Sequence, residues 1–219
     1  MTRLVELQDG VLLSVHDAGD SFSDRIVRER DYFERDILHY LCENYPTQQC
    51  IIDVGANIGN HTVYFATYLE YKAIVCIEPI DDNFVLLKEN TKDFGAIFLR
   101  HGVAGDSTET VKLAIRRENM GACEIVNDYS DEPDFQIAPQ IRLDDLFVPK
   151  VTLIKIDVEW YEPYVLEGAK NLIEEDKPLI LIEDTDKKYG PLLPDYYRLL
   201  KEWPEHNTYL YGVPHHGAT

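Results

Sequence analysis

Four apolar runs in this chain each end in a carboxylate. CIIDVG (50–55) delivers Asp53 and AIVCIEP (73–79) delivers Glu78. VTLIKIDVE (151–159) delivers Asp157 and Glu159, and KPLILIED (177–184) delivers Glu183 and Asp184. A fifth run, AIFLRHGVA (96–104), has no terminal acid. Amphipathic stretches separate the runs: NHTVYFATYLE (60–70), DDNFVLLKENTK (81–92) and PYVLEGAKNLIEE (163–175). Short continuous apolar runs alternating with helical patterns predict a mostly parallel sheet covered on both faces. Ligands of such sheets bind beyond the carboxyl ends of the strands. The acids therefore converge on the edge where a ligand would sit.

Other elements follow from local pattern. Residues 3 to 16 alternate around Asp9-Gly10, a hairpin signal. Asp31 to Asn44 places Phe33, Ile37, Tyr40 and Leu41 on one helical face, and Pro46 ends it. Asp81 or Asp82 is expected to cap the helix after Glu78. VKLAIRR (111–117) and EIVND (124–128) read as extra strands, and QIRLDDLF (140–147) as a strand passing into a helix. PYVLEGAKNLIEE reads as one helix, YYRLLKEW (196–203) as another, and NTYLYGV (207–213) as a final strand. With 219 residues and no linker or repeat, one domain is expected: an N-terminal hairpin and helix (1–45) on a core (46–219).

The loop after the first run, DVGANIGN, decides the class of ligand. A dinucleotide loop needs glycine at three slots, which here hold Gly55, Asn57 and Asn60. The lysine-bearing phosphate loop is absent too. That disfavours a dinucleotide oxidoreductase. Gly55 and Gly59 permit close backbone approach. Glu78, at the end of the next run, is placed to accept from a ribose diol. Asp53 supplies charge beside the loop. A ligand with a ribose, an adenine and a cationic end fits these parts, and S-adenosylmethionine is such a ligand.

Charge narrows the partners. Forty acids against 21 bases give a net charge of −19. Nucleic-acid binding rests on Lys and Arg neutralising phosphates, so no nucleic-acid partner is expected, and an acidic substrate or an anionic membrane surface is disfavoured. No apolar run reaches the ~20 residues of a membrane span. The N-terminal stretch is interrupted by Glu6, Gln8 and Asp9 and lacks a signal-peptide core. The four cysteines show no metal spacing, and a cytoplasmic location is the simplest expectation.

IIDVGANIGNHT, CIEPIDDNFVLLKEN and IKIDVEWYEPYVLEGAKNLI followed by LILIE resemble the FkbM family of S-adenosylmethionine-dependent methyltransferases. The resemblance covers roughly residues 30 to 185. It implies a Rossmann-like class I fold built on a mostly parallel seven-stranded sheet. It implies O-methylation of a sugar, glycan or natural product, with S-adenosylhomocysteine as the second product. By position it puts Asp53, Gly55, Asn57 and Gly59 in the cofactor loop, with Glu78 on the ribose. Asn83 and Ala104 fall near the adenosine, and Glu34 matches a glutamate that precedes the loop. Asp157 and Glu159 fall near the methyl group and acceptor, and Asn119 matches a recurrent N-x-G-A segment. The family usually has glycine after the I-D-V-E acid, where this chain has Trp160 and then Tyr161. That bulky pair is expected to shape the acceptor side.

His61, at the start of the first core helix, and His101 are further candidates for a base. Asp157, Glu183 and Asp184 together could form an oxygen-rich Mg²⁺ site, although Glu183 also fits the plain family pattern. His215 and His216 are expected to have no role. Methylation of protein, and a non-catalytic nucleoside-binding module, remain as alternative functions.

Overall fold

The computed structural model describes residues 2–17, 19–126 and 134–214. The end of EIVND and the pair His215-His216 lie outside them. The chain opens with an antiparallel hairpin, β1 (Thr2–Glu6) and β2 (Leu12–His16). Helices α1 (Ser21–Glu29) and α2 (Arg35–Asn44) follow. The core then alternates β3 (Thr47–Val54), α3 (Asn60–Tyr68), β4 (Glu70–Glu78), α4 (Asp81–Thr91) and β5 (Ile97–His101).

A smaller sheet interrupts the alternation: β6 (Val103–Ala104), β7 (Thr110–Ala114), β8 (Glu124–Val126) and β9 (Phe135–Ile141). After it come β10 (Val151–Ile156), α5 (Glu162–Gly168), α6 (Lys170–Asp176), β11 (Leu179–Glu183), β12 (Arg198–Trp203) and β13 (Thr208–Gly212). The main sheet has seven strands in the order β12-β13-β11-β10-β3-β4-β5. From β11 to β5 all neighbours are parallel, and β13 runs antiparallel to both of its neighbours. The expected mostly parallel α/β sheet is the observed one.

Burial explains the apolar runs. β3, β4 and β10 are buried on both faces over their C-terminal halves, so those halves show no alternation. One face packs under α2, α3, α4 and the hairpin through residues such as Leu13, Ile37, Leu41, Phe65 and Leu87. The other packs under α5 and α6 through Ile52, Ile154, Val165 and Ile173. Asn90 fastens the hairpin to α4: its side chain accepts from the Ser14 amide at 2.7 Å and donates to the Ser14 carbonyl at 2.8 Å.

Five local expectations need correcting. YYRLLKEW is an edge strand, not a helix, because pairing with β13 from Arg198 to Trp203 overrides the local period. The run 96–104 is broken at Gly102, where β6 leaves the main sheet to pair with Gln140 and Ile141. A Cβ at Gly102 would collide with the Pro139 carbonyl and Ile141. The helix after Asp157 divides at Ala169, and the Asp144 carboxylate accepts from the Leu172 amide at 2.9 Å in the first turn of α6. Phe33 precedes α2 rather than lying on it, because Glu34 takes a left-handed φ of 57° and the helix starts at Arg35. Ile80, not an aspartate, is the residue before α4, and Asp81 and Asp82 sit in its first turn. α1 was not anticipated. Its signal, Asp20 accepting from the Ser23 amide, is a plain N-cap.

Candidate active site

Turns at the carboxyl ends of β3, β4, β10 and β11 surround a cavity of about 540 Å³. α1, the segment before α2 and the turn before β13 complete its wall. Twelve of the residues singled out in the sequence line it. They include Gly55, Asn57, Glu78, Asn83 and Ala104 on one side. Glu34, His61, Asp157, Glu159 and Glu183 stand on the other, with Asn119 and Tyr161 on the wall of the smaller sheet.

At Gly55 the chain turns with a φ of +72°, and a Cβ there would overlap the Asp157 carbonyl oxygen. Only glycine allows β3 and β10 to end this close together. Asn57 is also left-handed, at φ 51°, and its amide donates to Glu78 Oε2 at 2.8 Å. The Ile80 amide donates to Oε1 at 2.9 Å, and Asn83 Nδ2 to the same oxygen at 3.3 Å. Oε1 thus has both lone pairs engaged, and Oε2 keeps one for a further donor. Burial pushes the Glu78 pKa up to about 7, against these hydrogen bonds, which favour the carboxylate.

Asn83 is fully used by the protein. Besides Glu78 it donates to the Met120 carbonyl at 3.1 Å, and its oxygen meets His16 Nε2 at 2.7 Å. Asp20 accepts from the Met120 amide at 2.8 Å. These bonds hold the 118–121 loop against α4 and the start of α1. An apolar patch of Ile80, Val103, Leu113 and Met120 lies there, and all four line the cavity.

Asp53 and Gly59 do not line the cavity. Asp53 is completely buried, accepts from Thr62 Oγ1 at 2.6 Å, and lies 3.5 Å from the Lys155 ammonium. Gly59, at φ +91°, lets the start of α3 pack on Leu87 of α4.

Lys155 was missed in the sequence, although a lone cation inside the apolar run VTLIKI is a legible signal. It is buried, donates to the Gly55 carbonyl at 2.8 Å, and contacts Asp157 at 3.3 Å as well as Asp53. Burial disfavours its charge, but Asp157, Asp53 and Glu34 outweigh that and raise its pKa. Burial also works against ionisation of Asp157, yet Lys155 and a hydrogen bond with Glu183 keep Asp157 low. Glu183 is raised by burial and by that same neighbour. Glu159 is pushed up to about 7 by burial, then by Asp157 and Glu162.

Glu159 and Trp160 are both left-handed, at φ 52° and 73°. The second is the position that resembling sequences fill with glycine. The Trp160 ring is 58% exposed and stands outside the cavity. Tyr161 faces inward, donates to Gln140 Oε1 at 3.1 Å and stacks on Tyr164 at 4.4 Å.

Asp184 points away from its expected metal partners. Its oxygens accept from the Lys188 amide at 2.8 Å and the Tyr189 amide at 2.7 Å. Among the described residues, one group of three brings its carboxylate and imidazole atoms close enough to hold a metal: Asp36, Glu205 and His206, at the surface end of the cavity wall and without Asp157, Glu183 or Asp184. His61 is buried, and its Nε2 lies 3.2 Å from Glu34 Oε2 without the alignment of a hydrogen bond. His101 is half-exposed, meets the Pro79 carbonyl and Asp81, each at 3.0 Å, and is not on the cavity. Arg25 and His206 line the cavity and carried no sequence signal.

Comparison with known proteins adds to this geometry. A sequence model described as the methyltransferase FkbM domain matches residues 53–211. The hexuronic acid methyltransferase AglP of Haloferax volcanii is 29% identical over 147 residues, 64% of this chain and 58% of that protein. The chain thus spans less than two thirds of that relative. A crystal structure of the methyltransferase FkbM from Methylobacillus flagellatus superposes with a TM-score of 0.54 at 21% identity, over 77% of this chain and 44% of that one. An O-methyltransferase from Bacillus cereus, solved with S-adenosylhomocysteine, gives 0.54 at 12% identity, over 84% and 82%.

Proposed function

The chain belongs to the FkbM methyltransferase family, and from that premise we propose that it moves a methyl group from S-adenosylmethionine to a hydroxyl of a saccharide. The observation that carries this reading is one continuous cavity with two unlike halves. The half around Gly55, Glu78 and the Ile80–Met120 patch suits a nucleoside. The half around His61, Asp157, Glu159 and Glu183 suits a hydroxyl that must lose a proton.

The residues present fit the cofactor. Glu78 would accept from a ribose hydroxyl through the free lone pair of Oε2, and the Gly55–Asn57 turn would leave room for the amino-acid end. Ala104 and the apolar patch face the base. Asp53 acts one layer below, through Lys155 and the loop backbone. Asn83 acts by holding Glu78. When bound, the cofactor supplies an electrophilic methyl on sulfur. Asp157 and Glu159 then orient the acceptor hydroxyl, and His61 receives its proton. Alignment of oxygen, methyl carbon and sulfur supplies the rest.

A hexuronic acid, the substrate in the name of the Haloferax relative, is the first acceptor to try. Arg25 lines the cavity, 4.7 Å above the Phe33 ring, and offers a cation to an acidic sugar despite the net charge of −19. Tyr161 and Asn119 line the same side. Titration calorimetry with S-adenosylhomocysteine tests the cofactor, and no heat from folded protein refutes it. Turnover on a panel of uronic acids and neutral sugars tests the acceptor. Cofactor binding with no turnover on any acceptor, proteins included, would make the chain a binding module instead.

A further inference from the structure

Methyl transfer to a hydroxyl releases one proton. The oxygen lone pair forms the new C–O bond, the C–S pair returns to sulfur, and the hydroxyl proton must leave the cavity. Asp157 is a poor receiver, since its carboxylate is already engaged by Lys155 and Glu183. The buried Nε2 of His61 is unsatisfied.

A chain of side chains leads outward from that nitrogen. Glu34 Oε2 lies 3.2 Å from His61, and Glu34 Oε1 lies 3.7 Å from His206 Nδ1. His206 Nε2 lies 3.2 Å from Asp36 Oδ1, whose side chain is 51% exposed. His61, Glu34 and His206 line the cavity, while Glu34, His206 and Asp36 line a separate open cleft on the outer surface. The left-handed turn at Glu34 aims one carboxylate at both imidazoles.

We propose that His61, Glu34, His206 and Asp36 form the path by which the acceptor proton reaches solvent. This rests on the methyltransferase reading above. His61 takes the proton on its other ring nitrogen, Nδ1, and gives the one on Nε2 to Glu34; a water carries it across the 3.7 Å gap to His206 Nδ1, and His206 Nε2 releases one to Asp36 and solvent. Glu34 and His206 are positioning residues here. Other charged groups face the path from every side. α1 contributes Arg25, α2 contributes Arg35 and His39, and the turn before β13 contributes Glu205. β10 and the loop after it contribute Lys155, Asp157 and Glu159, and β11 contributes Glu183.

The test uses the whole chain saturated with S-adenosylhomocysteine, with Glu34→Gln and His206→Gln as path variants. His39→Asn, beside the outer cleft, is the control. The His61 ring-nitrogen resonances, followed from acid to alkaline pH, should change in both path variants and not in the control. Affinity for S-adenosylhomocysteine should stay within about twofold. On any acceptor that turns over, kcat should fall about tenfold in both path variants, with KM for the cofactor unchanged. Unmoved His61 resonances, or unchanged kcat, would overturn the path. A large loss of S-adenosylhomocysteine affinity in Glu34→Gln would overturn it too, and would assign Glu34 to the cofactor. If the wild type fails to bind S-adenosylhomocysteine, the functional reading fails instead.

Discussion

Burial holds the Glu78 carboxyl at about 7, above the ordinary 4.5. Its folded pKa is raised, so its contribution to stability is complete below about 4.5 and is lost as pH rises through about 7. Ribose donors favour the ionised form. Affinity for S-adenosylhomocysteine should therefore climb with pH and level off above about 7, as calorimetry across pH would show. Glu78→Gln should remove that slope and weaken binding at alkaline pH by about 1–3 kcal/mol. A flat wild-type profile would contradict the ribose role. Trp160 gives a second expectation. Its left-handed backbone costs a non-glycine residue about 1 kcal/mol, so Trp160→Gly should hold or raise the melting temperature. Gly55→Ala should lower it by more than about 1 kcal/mol of stability, through the collision with Asp157. Glu78 and Gly55 were legible in the sequence because strand-end acids and turn glycines have fixed places. The layer in which Asp53 acts was not, because a strand end alone does not say which face its side chain takes.

Among elements, the connection from β11 to β12 shows what a sequence conceals. Glu183 and Asp184 are neighbours, yet one meets Asp157 and the other closes its own loop on two backbone amides. Asp184→Ala should therefore cost about 1–3 kcal/mol in denaturant unfolding. It should leave any effect of Mg²⁺ on melting unaltered. A Mg²⁺ stabilisation that disappears with Asp184 would restore the acidic trio as a metal site. Core strands were legible because double-sided burial writes continuous apolar runs. β12 was not, because an edge strand with one buried partner carries no such run. α1 was passed over because only Ser23 and Ile26 of its nine residues are fully buried, with Phe22 and Val27 packed at the core's edge.

At the scale of the molecule, a charge of −19 loads the folded state with self-repulsion. Salt screens exposed charges over ~10 Å at 0.1 M, so the melting temperature should rise as NaCl is added from low ionic strength. A fall would mean that the surface ion pairs, such as Arg3–Asp24 and Lys187–Glu202, outweigh the repulsion. The mostly parallel sheet and the Gly55–Glu78 side of the cavity were legible together, since both follow from alternating strands and helices. The meeting of Glu34 with His206 was not. It depends on a tertiary contact between the start of α2 and the turn before β13, and no local pattern encodes that.

That contact also sets an order of assembly. Gly55, Glu78 and Ala104 lie early in the chain, and the turn bearing His206 is synthesised well after them. The Gly55–Glu78 side of the cavity can thus leave the ribosome while Asp157, Glu183 and the His206 turn of the other side are still unmade. On the proposed reading, a nascent chain would gain its donor site before its proton path. Synthesis of the β12–β13 pair, which brackets His206, would complete that path.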